Sequence, residues 1–377
     1  PWVSARRGPR KEEALRRGGG TEETEAAVRA GLAYLAAKQR DHGGWGDARS
    51  RHQKYGETSV GRTALSLLAF LGAGHAPTTE TEYSDVTAQA IDFLIGSQRE
   101  RTGHFGSHTS SYSHAISTYA LGEAVLMGVT DARIRRALER GVEQILRNQE
   151  LDEDRPAHYG GWSYYYPDGH RFDDYPRVSI TVWQLMALET ALLAGVDLPK
   201  ARVALGKAWI LAQWSGELGR YYYTRNPEWT RRRTPTLPGS TPAAAFILEV
   251  LGHDEEDERL ADAIDMVSER PPRGWTQAST ERFLSRGEGN TYFWYYGTLA
   301  LFLHGGSDWD RWNGALQRTL LPSKEDDGSW EPIDPYSDYA GDTNGERIYT
   351  TAINVLTLEV YYRYLTPFQQ KVAGDRK

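Results

Sequence analysis

Gln39-Arg40-Asp41-His42-Gly43-Gly44-Trp45-Gly46 is the stretch that decides the fold. Before it, Val28, Leu32 and Leu35 fall on one stripe of an amphipathic helix; after it, Thr58 to Leu71 is a second apolar run. The same Gly-plus-aromatic turn recurs at Gly103-His104-Phe105-Gly106 after Gln98 and at Gly160-Gly161-Trp162 after Gln149. Looser copies stand at Gly216 to Tyr222 after Gln213, at Arg273-Gly274-Trp275, and at Gly328-Ser329-Trp330 after Gln317. A period of about 53–60 residues is the mark of a repeat architecture, whose units bury their apolar faces against one another.

The two segments of each unit differ. The first carries charge on its outward face, as Asp131 to Gln149 does. The second is apolar nearly all round: Thr58 to Leu71, Ser113 to Met127, Ser179 to Ala194, Thr241 to Leu251, Tyr292 to His304 and Tyr349 to Tyr364. Such a helix is buried on both sides. Gly72, Gly128, Gly195, Gly252 and Gly305 close five of these segments and suit left-handed C-caps. Strict alternation of outer and inner helices predicts an all-α fold, an α6/α6 toroid over residues 21–366. Residues 1–20, with Arg6, Arg7, Arg10, Lys11, Arg16 and Arg17, read as a basic flexible arm, and residues 367–377 as a C-terminal tail. Parallel inner helices gather their N-termini, with unpaired N–H groups and partial positive charge, at one mouth. The long loops Thr224 to Pro238, Thr276 to Asn290 and Glu331 to Arg347 lie on that rim, where function is expected.

The 377 residues carry a net charge of −7 and no cysteine. Disulfides, thiolate metal sites and cysteine nucleophiles are excluded, and the acidic balance offers nothing to nucleic acid. No apolar run approaches the roughly 20 residues of a transmembrane segment. Pro1 in place of Met reads as an exported or processed product, and the compartment stays undetermined. Twelve Trp and 22 Tyr against 9 Phe suit cavity walls and wet loops better than a dry core.

Gln39 to Trp45, with its degenerate copy Gln98 to Phe105, resembles the Gln-Trp repeat of squalene and oxidosqualene cyclases and the related toroid of protein prenyltransferase β subunits. Thr58-Ser59-Val60-Gly61, Tyr112-Ser113-His114-Ala115, Tyr295 to Ala300 and Val360 to Tyr364 resemble the bacterial prenyltransferase/squalene oxidase repeat proteins of single-toroid length. The resemblance spans residues 21–366 and implies a terpenoid cyclase-like toroid with a central cavity. The chain departs from the enzymes of that group. Class II triterpene cyclases protonate an alkene with the middle Asp of an Asp-x-Asp-Asp motif, which is absent here; Val178 to Trp183 stands in its place. Zinc prenyltransferases and thioester domains need a cysteine. No cofactor is expected.

Asp173 and Asp174 precede the third inner helix, where one carboxyl of a pair could supply a proton; a capping pair is the alternative. His114, in the first turn of an inner helix beside Tyr112, is a candidate acid or base, or a satisfied rim histidine. With His104 and His108 it shows no regular zinc spacing, and no metal is expected. Tyr112, Thr181, Trp183, Tyr292, Trp294 and Tyr295 are candidate ligand contacts, since aromatic faces stabilise carbocations and stack on sugars. Arg177, Arg286 and Arg347 stand among rim arginines that could clamp a diphosphate, sulfate or uronate, or pair with Glu57, Glu288, Asp342 and Glu346.

Three functions compete. The first is binding of an isoprenoid or other apolar small molecule, with acid-initiated cyclisation or isomerisation. The second is a non-catalytic scaffold for a protein partner. The third is a polysaccharide-binding or lyase toroid. An empty apolar cavity favours the first, a plugged ring centre the second, and an open arginine-lined groove the third.

Overall fold

The computed structural model describes residues 5–46, 58–106, 110–166, 175–227, 236–252, 257–342 and 345–363. Asp173, Asp174, His108 and Glu57 lie outside the described residues. After α1 (Gly8–Gly18), outer and inner helices alternate in pairs. The pairs are α2 (Glu22–Lys38) with α3 (Thr58–Gly72), α4 (Ser84–Ser97) with α5 (Ser111–Leu126), and α6 (Ala132–Arg147) with α7 (Val178–Leu193). They continue with α8 (Lys200–Ala212) and α9 (Ser240–Val250), α10 (Glu258–Ser268) and α12 (Thr291–His304), and α13 (Gly306–Leu320) and α15 (Ile348–Leu358). An antiparallel hairpin of β1 (Trp214–Ser215) and β2 (Arg220–Tyr221) follows α8. Short helices α11 (Thr280–Arg286) and α14 (Pro335–Tyr339) precede α12 and α15, and α16 (Val360–Arg363) ends the described chain.

Each inner helix packs against two others in the order α3, α5, α7, α9, α12, α15 and back to α3. The fold is an α/α toroid. Burial follows the sequence pattern: α7 is buried from Val178 to Leu188 without a break, whereas α6 buries one stripe through Ile134, Leu138, Val142 and Ile145. No described helix is long and apolar enough to cross a membrane.

The recurring turn works through repeated hydrogen bonds. Nε2 of Gln39, Gln98 and Gln149 donates across its own turn to the carbonyl of Gly43, Gly103 or Gly160, at 2.8, 3.0 and 2.8 Å. It also donates to a carbonyl of the next outer unit, Val86, Ala137 or Arg202, at 2.9, 2.9 and 3.0 Å. Nε1 of Trp45, Trp162 and Trp330 donates to Leu35, Ile145 and Leu320 of the preceding outer helix at 2.7, 2.9 and 2.9 Å. The turn glycines are required by approach as well as by φ. A Cβ on Gly43, Gly103, Gly160 or Gly328 would lie 2.4, 2.9, 2.7 or 2.2 Å from the carbonyl oxygen of Gln89, Arg140, Leu205 or Ala30. Gly328, in the last turn, thus docks on α2, the first outer helix. The fourth and fifth turns differ: Gly219 and Gly274 have no atom within 4 Å of a Cβ. At the helix ends, Gly128, Gly195 and Gly252 are left-handed as expected, and Gly305 has positive φ with extended ψ. Gly72 is instead the last residue of α3, and Gly74, at φ +98°, takes the left-handed position.

The N-terminal segment corrects the expectation of a flexible arm. Gly8 to Gly18 is a helix, closed by left-handed Gly19, and α1 packs on α16. Trp309 Nε1 donates to Gly18 O at 2.9 Å and Asn313 Nδ2 to Gly19 O at 2.9 Å. Arg6 is buried; its guanidinium donates to Leu71 O (3.1 Å), Arg363 O (3.4 Å) and Glu123 Oε2 (2.9 Å). Leu71 O lies in the last turn of an inner helix, where carbonyls lack intrahelical partners and carry partial negative charge. Lys11 pairs with Glu25 at 2.7 Å. Arg6 and Lys11 are therefore counter-charges for an acidic ring end, a relation that local composition hides.

Glu359 belongs to the same end and is buried, with no hydrogen bond to either carboxyl oxygen among the described residues. Burial pushes its carboxyl well above the usual range, against the nearby Arg363, Lys11 and Arg6. A raised folded-state value favours the protonated form. That stabilisation is full below the unfolded value and is lost as pH rises through the folded one. Glu359→Gln, which mimics the protonated acid, should raise the melting temperature by a few degrees at pH 8 and leave it unchanged at pH 4, as read by calorimetry. Equal effects at both pH values would contradict this.

Candidate functional site

Six tyrosines from five of the repeats converge at the mouth. Tyr112, Tyr292 and Tyr349 each stand second in an inner helix, α5, α12 and α15. Tyr164 and Tyr223 come from the turns before α7 and α9, and Tyr336 from α14. Tyr112 and Tyr164 lie 5.7 Å apart between ring centroids, Tyr292 and Tyr336 5.8 Å, and the Tyr164 and Tyr223 hydroxyls share a short hydrogen bond. The Arg177 guanidinium sits over Tyr164 at 5.8 Å and Tyr223 at 5.5 Å, and donates to Thr224 Oγ1 at 3.1 Å. Tyr112, Tyr164, Tyr292 and Tyr336 remain half-buried. Burial raises the Tyr112, Tyr292, Tyr336 and Tyr349 hydroxyls above the usual phenol range. They stay protonated at neutral pH, so they offer hydrogen bonds and ring faces rather than a general base.

One level down, the rings close the centre. Trp183 of α7 stacks on Tyr295 of α12 at 6.3 Å and 10°, and meets Tyr296 at 6.0 Å and Tyr119 of α5 at 6.2 Å. Helices α7 and α12 are not neighbours in the ring, so this stack is made inside the ring, past α9. Below it Arg363 donates to the Tyr119 hydroxyl at 3.2 Å and to Glu123 Oε1 at 3.1 Å. The described side chains thus plug the centre of the ring, the feature expected of a scaffold, and leave the tyrosine-lined mouth above the Trp183–Tyr295 stack, the cup, as the place where a small molecule would sit.

Two carboxylates that sequence reading did not single out as site residues hold this wall. Asp334 accepts from Thr291 N (2.7 Å) and Oγ1 (2.6 Å), and from Tyr336 N (3.0 Å) and Ser337 N (3.1 Å). Asp342 accepts from Tyr349 N (2.8 Å) and from Thr350 N (2.7 Å) and Oγ1 (2.8 Å). Burial pushes the Asp342 carboxyl up to about 6, against these hydrogen bonds and Arg62. Both residues cap an inner helix and fix the position of Tyr292 or Tyr349. Asp342 stands in the loop ahead of the helix it caps, α15, whereas Asp334 stands 43 residues after the start of α12, so local sequence signalled only the first.

Other predicted residues fall elsewhere. His114 does not face the mouth: it is fully buried, Nδ1 accepts from Phe105 N at 3.2 Å, and Nε2 lies 2.9 Å from Gly141 O. Burial, with His104 beside it, holds its pKa well below 6.5. A neutral ring with both nitrogens engaged leaves nothing for acid–base work, so the structure gives His114 a packing role. Thr181 accepts from Trp162 N at 3.2 Å in the same way. Thr63, Thr241 and Thr351 do so for Trp45, Tyr221 and Trp330, at 3.0, 3.2 and 3.4 Å. Arg347 donates to Ser329 Oγ at 2.9 Å and pairs with Glu331. Arg286 and Trp294 meet in a separate pocket at the fifth turn. Among the described residues no three His, Asp or Glu side chains are grouped to hold a metal.

No protein-family model matches the chain, and no curated protein matches it in sequence. Solved structures do match. The type II terpene cyclase MstE from Scytonema, in complex with merosterolic acid A, superposes with a TM-score of 0.60 at 14% identity, over 91% of this chain and 98% of that one. An inactive α-1,6-mannanase of Salegentibacter sp. with α-1,6-mannotriose gives 0.60 at 11% identity, over 90% and 99%. A D-mannose isomerase gives 0.60 at 13%, over 89% and 96%. These likenesses establish the toroid. They span three chemistries, so the fold leaves the reaction open.

Proposed function

We propose that the chain binds a small molecule in the tyrosine cup, an isoprenoid or other largely apolar body against the rings with its polar head at the helix N-termini. The observation that carries this reading is the set of six tyrosines converging above the Trp183–Tyr295 floor. Their raised hydroxyl pKa values weigh against a lyase that uses tyrosine as base. The likeness to MstE, solved with geranylgeranyl dihydroxybenzoate, supports an isoprenoid ligand by fold analogy alone. Acid-initiated turnover would rest on Asp173 or Asp174.

The test is native mass spectrometry of the protein purified from its own host, followed by solvent extraction. A co-purifying isoprenoid or lipid supports the cup and justifies turnover assays on Asp173→Asn and Asp174→Asn. A bare chain, or one carrying only a protein partner, overturns it in favour of a scaffold. Tyr112→Ala and Tyr292→Ala should each weaken ligand retention about tenfold, the scale of one lost aromatic face. The exposed Tyr339→Ala should leave retention unchanged.

A further inference from the structure

We infer that a second site, independent of the cup, binds a small oxyanion-bearing molecule in the arginine-lined pocket at the fifth turn. The pocket measures about 480 Å³ and is bordered by Arg270, Arg273, Arg282 and Arg286, with Trp294 as its aromatic wall. That volume lies in the range of small-ligand sites. It opens where the repeat fails. The first, second, third and sixth turns press a glycine onto a carbonyl of an outer helix, but Gly274 touches nothing within 4 Å, and the space is left free.

The frame around it is fixed. Helix α11 is capped by Ser279 and ends at left-handed Gly287. Gly289 runs so near the opposite side that a Cβ would sit 2.7 Å from Thr276 O. The charge is only partly compensated. Arg282 pairs with Glu288 at 3.2 Å, while the side chains of Arg270, Arg273 and Arg286 form no hydrogen bond or salt bridge among the described residues. Four arginines face two glutamates, Glu269 and Glu288, in a chain whose net charge is −7. Carboxylates are in excess overall, so leaving three guanidiniums unpaired around one concavity is a local arrangement. Arg270 is half-buried, and its pKa is lowered by burial first and then by Arg220, against Glu269, with Arg286 adding to the lowering. A guanidinium fork matches phosphate, sulfate and carboxylate alike, and the buried Trp294, against Trp275 at 5.8 Å, gives the pocket a firm apolar side.

Isothermal titration calorimetry on the full chain, with inorganic pyrophosphate, sulfate and glucuronate as probes, tests the site. Saturable binding of at least one probe is expected, weakened tenfold or more by Arg270→Gln and by Arg286→Gln. The exposed, distant Arg101→Gln and the cup variant Tyr112→Ala should leave it unchanged. Pyrophosphate binding tightest identifies a phosphate head, sulfate a sulfate ester, and glucuronate a carboxylate. No saturable binding, or binding indifferent to both pocket substitutions while thermal melts show intact folding, overturns the inference.

Discussion

Replacing Glu123 by alanine should lower the unfolding free energy by about 3–5 kcal/mol, as measured by urea denaturation at pH 7. Glu123 is 0% exposed, and its two oxygens take Arg6 at 2.9 Å and Arg363 at 3.1 Å. Without it, the Arg6 guanidinium keeps its carbonyl partners and the Arg363 guanidinium the Tyr119 hydroxyl, beside a Glu359 carboxyl that burial holds toward its neutral form. Glu139→Ala is the contrast, since its pair with Arg135 is 38–44% exposed and should matter by less than about 0.5 kcal/mol. The pH dependence carries a sign. Burial alone would raise the Glu123 carboxyl, but Arg363 and Arg6 outweigh it and hold the group at about 2. A lowered folded-state value contributes stability that is full above the unfolded value of 4.5 and is lost as pH falls through about 2. The preference is worth roughly 3 kcal/mol. The gap between the parent and Glu123→Gln should therefore narrow from pH 4.5 to pH 2 and stay level from pH 6 to 8. A loss below about 1 kcal/mol for Glu123→Ala would show that the ring end does not depend on the pair.

Glu123 also shows where sequence reading stops. It stands inside Ser113 to Met127, a segment read as apolar nearly all round, and one carboxylate in such a helix implies a buried cation. Its partners lie 117 and 240 residues away, at opposite ends of the chain, so no local pattern could name them. The turns were legible for the opposite reason. Gly43 and Gly160 are demanded by contacts within and beside the unit, so the requirement is written where it acts. The same logic explains His114 and Thr181. Each occupies the position that accepts the N–H of the turn aromatic, and Thr63, Thr241 and Thr351 occupy it in other copies. Aligning the copies on one another would have marked both as parts of the turn. Trp183 and Tyr295 were legible as inward rings, because an all-round apolar inner helix must point some residues at the axis. That they would stack on one another, and so set a floor, depends on helix rotation that periodicity does not encode.

Gly328→Ala should cost more than about 3 kcal/mol and change how the protein unfolds, because this turn closes the ring. At φ +89° a side chain pays roughly 1–2 kcal/mol for the left-handed backbone. The new Cβ would also stand 2.2 Å from Ala30 O, a carbonyl inside α2 that cannot move without its helix. Gly274→Ala separates the two costs. Its φ is +93°, yet a Cβ there meets nothing within 4 Å, so only the backbone cost of about 1–2 kcal/mol should appear. An open array of repeats has ends from which it can fray, whereas a closed ring has none. Loosening Gly328 from Ala30 recreates those ends. In urea, tryptophan fluorescence and circular dichroism should report one coincident transition for the parent and for Gly274→Ala, and separated transitions for Gly328→Ala. Equal losses for the two alanine variants, with coincident probes in both, would mean that contact between the last turn and the first outer helix does not hold the ring shut. Cooperativity would then have to come from α15, which packs directly on both α3 and α2.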